Sequence, residues 1–229
     1  MRRSQVNVLM IVLATALAGC TADNASVFIE GDVIPEIQDV GCDVTVDGTL
    51  LTSGVYNIDL AAPYSIFPVY ANQLLSRATD IRADPNGVQI MGAEIELQDQ
   101  GGTPLDFPTL PNPFSIPTST YVPSGDVGEP GRAVGELQII PEVYRVSMPA
   151  EVRRAVILVS VKVFGRTNGN IDIQSGVWQW PVQLCGDGCL FECLGLDGTE
   201  VVSCQPGQDF LTSVKRSIPG VITCAATAP

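Results

Sequence analysis

The cysteines are the residues of this sequence that offer the most chemistry, because a thiol can be acylated, oxidised to a disulfide or bound to a metal. The 229-residue chain contains seven of them, and five lie within residues 185–224. They are Cys20, Cys42, Cys185, Cys189, Cys193, Cys204 and Cys224. This uneven distribution indicates that the thiols do not all share one role.

Cys20 follows a segment with the pattern of an export signal. Arg2 and Arg3 give a positive start, and an apolar run extends from Val8 to Ala18. A run of about eleven residues is too short to cross a ~30 Å hydrocarbon layer as a helix. A charged start, a short apolar core and small residues at the end are typical of a signal peptide. We therefore predict that residues 1–19 are a signal peptide and that the protein is exported.

The signal ends in Leu17-Ala18-Gly19-Cys20, which resembles the lipobox of bacterial lipoproteins. In that family the cysteine thiol is diacylglycerated, the chain is cut before it, and the new amine is acylated. The resemblance implies lipidation at Cys20, with fatty chains such as palmitate. Thr21, where an aspartate often favours inner-membrane retention, implies the outer membrane. The alternatives are a plain signal peptide with a chance cysteine, or a retained membrane helix.

Lipidation of Cys20 leaves six cysteines, an even number in an exported protein. Such a count favours three disulfides, for which fifteen pairings exist. The disulfide candidates are Cys42, Cys185, Cys189, Cys193, Cys204 and Cys224. We expect disulfides among the five cysteines of residues 185–224 to hold a C-terminal tail together. Cys42 is expected to form a disulfide with one of these five. A zinc site is disfavoured because zinc ligands usually come as two separated pairs, so no metal is predicted.

Acid–base catalysis has little support in the sequence. The chain has no histidine, which excludes Ser-His-Asp and Cys-His arrangements. Lys162 and Lys215 are not in a Ser-x-x-Lys pattern. The acidic turns, such as Asp84–Gly87, lack the residue spacing of a calcium loop. We predict no catalytic residue, no cofactor and no enzymatic activity, with a carboxylate-based hydrolase as the less favoured alternative.

Trp178 and Trp180 form a second candidate site. They are two residues apart on a predicted strand and therefore lie on the same face. Two aromatic rings on one face could bind a sugar by stacking. Val182 and Leu184 continue that face, so core packing is the other interpretation.

The charge of the chain excludes one class of partner. The formal net charge is −13, and removal of residues 1–19 would take away two arginines and no acid, giving −15. An acidic surface argues against nucleic acid. It also repels anionic lipid headgroups, so the predicted lipid would be the contact with the membrane. The partners left open are an envelope protein and a glycan.

Period-two patterns dominate the chain from Cys42 onward and predict half-buried strands. The patterns lie at Val44–Val46, Tyr56–Leu60, Ile95–Leu97, Leu137–Ile139, Ala155–Phe164 and Trp178–Leu184. We predict an all-β fold, an antiparallel immunoglobulin-like β-sandwich with a disulfide-stapled C-terminal tail. The longest strand, Ala155–Phe164, is expected at the centre of its sheet.

Local signals predict four departures from regular strands. The apolar phase changes at Met91-Gly92, where we expect a bulge. Seven prolines within residues 103–130 predict a long loop with one edge strand near Phe114. Asn168-Gly169 suits a type I′ hairpin turn. One short helix is expected near Pro149–Arg153.

The predicted organisation has four parts. Residues 1–19 form the signal peptide, 20–40 the acylated N-terminus and tether, 41–185 the sandwich, and 186–229 the cysteine-rich tail. Val27–Ile29 could instead be a strand that docks on the sandwich.

Five features of the sequence occur together: the Leu17–Cys20 lipobox, Asp23–Ser26, Val163–Thr167, Pro181–Val182 before Cys185, and Cys204–Asp209. In this combination the chain resembles myxobacterial outer-membrane lipoproteins of unknown function. The resemblance spans most of the chain and implies no catalytic residue. We predict a membrane-anchored envelope lipoprotein that acts as a non-enzymatic binding or structural module. The alternative is a carbohydrate-binding lipoprotein that uses Trp178 and Trp180.

Overall fold

The computed structural model describes residues 26–37, 42–59, 63–78, 83–186 and 208–209, together with the backbone of 214–218 and 221–224. Within them the chain is almost entirely strand. The strands are β1 (Val27–Val33), β2 (Glu36–Ile37), β3 (Cys42–Asp43), β4 (Leu50–Leu51), β5 (Gly54–Asn57), β6 (Tyr64–Ile66), β7 (Pro68–Asn72), β8 (Val88–Gln98), β9 (Phe114–Val122), β10 (Gly131–Val134), β11 (Leu137–Ile140), β12 (Val156–Thr167), β13 (Asp172–Gln174), β14 (Trp178–Cys185), β15 (Val214–Ile218) and β16 (Val221–Cys224). The helical elements of this part of the chain are α1 (Glu142–Val146) and a 3-10 turn at Ala150–Val152.

The larger sheet has six strands in the order β5-β14-β12-β8-β9, with β13 paired to β12. β12 lies between β14 and β8, which confirms the predicted central strand. Every pair is antiparallel except β14 and β5, which run parallel. The predicted antiparallel sandwich therefore holds for the sheet as a whole, with a parallel edge that the sequence patterns did not indicate.

The second layer combines a four-stranded sheet, in the order β10-β7-β1-β4, with the pair β11-β6. The core lies between the layers. β12 contributes the alternate residues Ile157, Val159, Val161 and Val163, all fully buried. β8, β14 and β11 bury their predicted apolar faces in the same cluster. The all-β class is thus confirmed, while the immunoglobulin-like variant stays a prediction.

The predicted bulge occurs in β8. Its pairing with β9 shifts register between Ile90 and Gly92, so that Ile90 and Ala93 are both buried while Met91 is exposed. A Cβ on Gly92 would lie 2.8 Å from the carbonyl oxygen of Ile116. The phase change in the sequence therefore marks a real irregularity, and close backbone approach requires glycine there.

The helix expected near Pro149–Arg153 is present as the 3-10 turn at Ala150–Val152, but two other local predictions were wrong in detail and one helix was not predicted. Strand β9 runs through Pro117 to Val122 inside the expected loop, and an edge strand accommodates that proline because its open side needs no amide donor. The turn after β12 has its left-handed residue at Asn170, with φ 65°, instead of at Asn168-Gly169. The helix α1 at Glu142–Val146 was not predicted, since five residues are too few to show helical periodicity.

The sandwich begins earlier than predicted. Val27–Val33 is β1, which pairs with β7 and buries Val27 and Val33. The docked-strand alternative therefore describes these residues, and the predicted tether does not. At Val44–Val46 the predicted strand is wrong, because β3 ends at Asp43 and the chain turns at Val46–Gly48. Residues 1–25, including Cys20 and the predicted signal peptide, lie outside the described part.

Candidate functional site

Four polar side chains, three of them buried and one partly buried, converge beside the edge that β5 presents away from β14. We call Asp32, Tyr64, Trp180 and Asp209 the carboxylate cluster. They come from β1, β6, β14 and a short segment near the C-terminus. Asp32 and Trp180 are each only 2% exposed. Bulk solvent is therefore excluded around the Asp32 carboxyl, and the Asp209 carboxyl lies partly exposed beside it.

Asp209 is the hub of the carboxylate cluster. Its Oδ1 accepts hydrogen bonds from the Val55 amide at 2.6 Å and from the Tyr64 hydroxyl at 2.8 Å. The Tyr64 hydroxyl in turn accepts one from Trp180 Nε1 at 3.1 Å. The Asp209 amide donates to the Val55 carbonyl at 2.8 Å. Asp209 thus pairs with both backbone groups of Val55. It is also the last acceptor in a series of hydrogen bonds that runs from Trp180 through Tyr64.

Gln208 makes the neighbouring contact with β6. Its Oε1 accepts from the Ser65 amide at 2.9 Å, and its Nε2 donates to the Pro63 carbonyl at 2.7 Å. The backbone of Gln208 also forms an antiparallel bridge with Tyr56. The side chain of Gln208 therefore takes the place of a strand backbone at the start of β6.

The pocket for Asp209 depends on a glycine. A Cβ on Gly54 would overlap the Tyr64 hydroxyl, and it would lie 2.8 Å from Asp209 Oδ1 and 2.9 Å from Trp180 Nε1. Only a residue without a side chain lets β5 lie against this network. Asp209 itself has φ 52°, a left-handed conformation that aspartate tolerates better than most residues.

Asp32 lies near Asp209 and accepts a hydrogen bond from the backbone between β6 and β7. Its Oδ1 accepts a hydrogen bond from the Phe67 amide at 2.6 Å. The pKa of Asp32 is raised to about 8, chiefly by burial; the bond from Phe67 opposes the rise and the Asp209 charge adds to it. Around neutral pH this carboxyl is therefore mostly protonated in the folded protein.

The pKa of Asp209 also lies above its ordinary value. Burial raises it to about 6, and the hydrogen bonds from Tyr64 and Val55 oppose the rise. Burial, with the Asp209 charge, holds the pKa of the Tyr64 phenol well above its usual range. The carboxylate cluster thus contains two carboxyls that titrate between about pH 6 and pH 8, a range in which exposed aspartates stay ionised.

The carboxylate cluster was missed in the sequence analysis. Tyr64 and Asp209 are 145 residues apart, and neither belongs to a motif with a known role. Gln208-Asp209 does close the run Cys204–Asp209, which was singled out only for its resemblance to lipoproteins. The signal that could have marked Asp209 is an acidic residue directly after Pro-Gly-Gln in a tail poor in periodicity, which is too weak to assign a role.

The two tryptophans lie together as predicted. Their rings stack with centroids 5.1 Å apart and an interplanar angle of 17°. Trp180 is buried and bonded to Tyr64, whereas Trp178 keeps part of its surface exposed. The pair therefore combines core packing at Trp180 with an accessible ring edge or face at Trp178.

The remaining candidates are spread over the fold. Asp84 accepts bonds from the amides of Asn86 and Arg77 and pairs with Ser124, and these bonds lower its pKa. This is turn geometry, as the sequence suggested. Among the described residues, no group of His, Cys, Asp and Glu is arranged to hold a metal.

The cysteines are only partly described. Cys42 and Cys185 are each in a disulfide, and Cys185 Sγ lies 3.5 Å from the Tyr56 carbonyl oxygen. The placement of Cys20, Cys189, Cys193 and Cys204 falls outside the described residues, as does the side chain of Cys224. The pairing of the six candidates stays a prediction.

Comparison with protein-family models and with curated proteins finds no match for this chain. No helix in the described ranges combines the length and the apolar character needed to cross a membrane.

Proposed function

We propose that this protein is an envelope lipoprotein, anchored to the outer membrane through Cys20, whose sandwich acts as a non-enzymatic structural or binding module. The anchor rests on the Leu17–Cys20 lipobox and the signal-like segment before it. The proposal of a non-enzymatic module rests on the hydrogen bonds that Asp32 and Asp209 accept from the fold itself. Both parts are separate claims and need separate tests.

The support for a non-enzymatic module is the hydrogen bonding of the carboxylate cluster. Within the described residues, the buried Asp32 and the partly buried Asp209 are the neighbouring acids that a carboxylate-based hydrolase would use. Asp209 instead accepts bonds from Val55 and Tyr64, and Asp32 accepts one from Phe67. Carboxylate oxygens committed to amides of their own fold hold strands in place. A hydrolase needs a pair of carboxyls that face a substrate across an open cleft.

The anchor is tested by metabolic labelling with a palmitate analogue in a bacterium that processes lipoproteins. We expect the wild-type chain to incorporate label and to partition into the detergent phase. Cys20→Ala is expected to lose the label and to leave the membrane fraction. Cys42→Ala is the matched control, because it removes a different cysteine and should keep the label. Label retained by Cys20→Ala, or absent from wild type, would refute the anchor.

The non-enzymatic module is tested by whether the protein recovers a partner and by whether it has a hydrolytic activity that needs Asp209. Cross-linking in intact cells, followed by purification in detergent, should recover the wild-type protein with a defined envelope component, which Cys20→Ala should recover less. If purified protein hydrolyses peptidoglycan or glycans, and Asp209→Asn abolishes that activity while keeping the fold, the non-enzymatic proposal is wrong.

A glycan-binding lipoprotein is the second candidate, favoured by the stacked pair with a partly exposed Trp178. A saturable change in tryptophan fluorescence on titration with envelope glycans, lost in Trp178→Phe, would support it. An unchanged spectrum would leave the pair a packing feature.

A further inference from the structure

The contacts of Gln208 and Asp209 close a strand edge that the sandwich would otherwise leave open. Within the described chain, β5 pairs with β14 along one side. Along its other side the Val55 amide and carbonyl both bond to Asp209. On β6 the Ser65 amide bonds to Gln208. Two consecutive residues therefore pair three backbone groups of two strands, in the way a bound peptide adds to a sheet edge.

We propose that Gln208 and Asp209 form a pH-dependent latch, which docks on the edge of β5 and β6 in acid and leaves it in alkaline solution. The geometry carries this inference, because two consecutive residues hold the edge and the carboxyl of one of them, Asp209, accepts the bonds from Val55 and Tyr64. The edge it covers consists of backbone donors and acceptors that become available when it leaves. The latch does not depend on a lipid at Cys20, so it can hold or fail independently of the anchor.

The charges around the latch set the direction of the effect. β1 places Asp32 near it and β6 places Tyr64 against it, while β14 contributes the uncharged Trp180. On β5 the titratable residue is Tyr56. Its pKa is raised above its ordinary value by burial, while Arg145 lowers it and Glu142 raises it. In the described surroundings of Asp209, no cation is among the groups that act on its carboxyl.

The sign follows from proton linkage. Docking raises the pKa of Asp209 from 3.8 to about 6, so the docked state binds a proton more tightly than the released state. Docking is therefore strongest below the ordinary pKa and weakens as the pH rises through about 6. Asp32, with a pKa of about 8, adds a second step, because its ionisation places two negative charges in one buried site.

Amide hydrogen exchange on the full-length, oxidised protein tests the latch directly. The Val55 and Ser65 amides, which donate to Asp209 and Gln208, report on docking. The Leu97 amide is the matched control, because it also donates to a side-chain oxygen, Asn112 Oδ1 at 2.9 Å, and that acceptor does not titrate. After correction for intrinsic exchange, protection at Val55 and Ser65 should fall at least about tenfold between pH 5 and pH 9, while Leu97 changes little.

Two variants separate the latch from general stability. Asp209→Asn keeps an acceptor for Val55 and should make its protection independent of pH. Gly54→Ala should release the latch at every pH by steric overlap. Gly176→Ala is its control, because an added Cβ there meets nothing within 4 Å. Protection at Val55 that stays within about threefold over this range, or that falls together with Leu97, would overturn the proposal.

Discussion

Two places in the sandwich use a side chain to complete the backbone pairing of a strand, and they differ in one respect. Beside β8, Asn112 accepts from the Leu97 amide and donates to the Leu97 and Leu105 carbonyls at 2.8 and 2.9 Å. Beside β5, Asp209 accepts from the Val55 amide. The first contact is made by a neutral amide within a continuous loop, and the second by a carboxyl brought from far along the chain.

Whether a side-chain amide or a carboxyl pairs with a strand edge decides whether that pairing depends on pH. A carboxamide offers a donor and an acceptor at every pH. A buried carboxyl offers the same acceptor, but its charge must be solvated by the protein, and its pKa rises in consequence. The β8 contact is therefore constant, and the β5 contact depends on pH.

Asn112→Asp should cause the largest loss of stability among the variants proposed for the two contacts. At pH 8 an ionised carboxylate would face the Leu97 and Leu105 carbonyls, which lose their shared donor, and we expect destabilisation by about 3 kcal/mol. Acid should recover part of the loss, because a protonated carboxyl can donate once. Urea unfolding at pH 8 and pH 5 measures this, and Asn112→Ala is the control without a charge. Equal losses at the two pH values would contradict the argument.

Tyr64→Phe should have an intermediate effect. The substitution removes the hydroxyl that joins Trp180 Nε1 to Asp209, and it leaves a buried indole donor unpaired. We expect a loss of about 2 kcal/mol. Tyr70→Phe is the matched control, since the buried Tyr70 hydroxyl has no hydrogen-bond partner among the residues that the structure describes. Thermal unfolding of both variants decides the point, and a larger loss for Tyr70→Phe would show that the cluster contributes little.

Asp32→Asn should cause no loss of stability in alkaline solution, where wild type carries a buried charge at this position. The pKa values of Asp32 and Asp209 lie above that of the unfolded chain, so their contribution is full below about pH 4 and is lost as the pH rises through about 6 and 8. The stability of the asparagine variant relative to wild type should therefore increase by about 4 kcal/mol between pH 5 and pH 8. Urea unfolding across this range would contradict the assignment if the two curves ran parallel.

The strands were predictable where a local pattern encodes them. Ile157 to Val163 alternate in β12, and the phase change at Met91-Gly92 marked the bulge, because the period of a strand is a property of neighbouring residues. The sequence also placed Trp178 and Trp180 on one face. The pairing of β14 with β5, which runs parallel, left no such trace, since register depends on contacts between distant segments.

The carboxylate cluster could not be predicted for the same physical reason. Each member comes from a different strand or segment, and no spacing relates Asp32 to Asp209. Their raised pKa values arise from burial, which exists only once the sandwich has closed. From residue type alone, both acids would be expected at the surface, because aspartate is rarely buried in a folded domain.

The early start of β1 has a geometric consequence. Val27 is fully buried at the beginning of that strand, so only six residues separate it from Cys20. Seven peptide steps span at most about 25 Å when fully extended. A fatty chain at Cys20 would therefore hold the start of β1 within about 25 Å of the bilayer, so this end of the acidic domain would meet its partners close to the membrane surface.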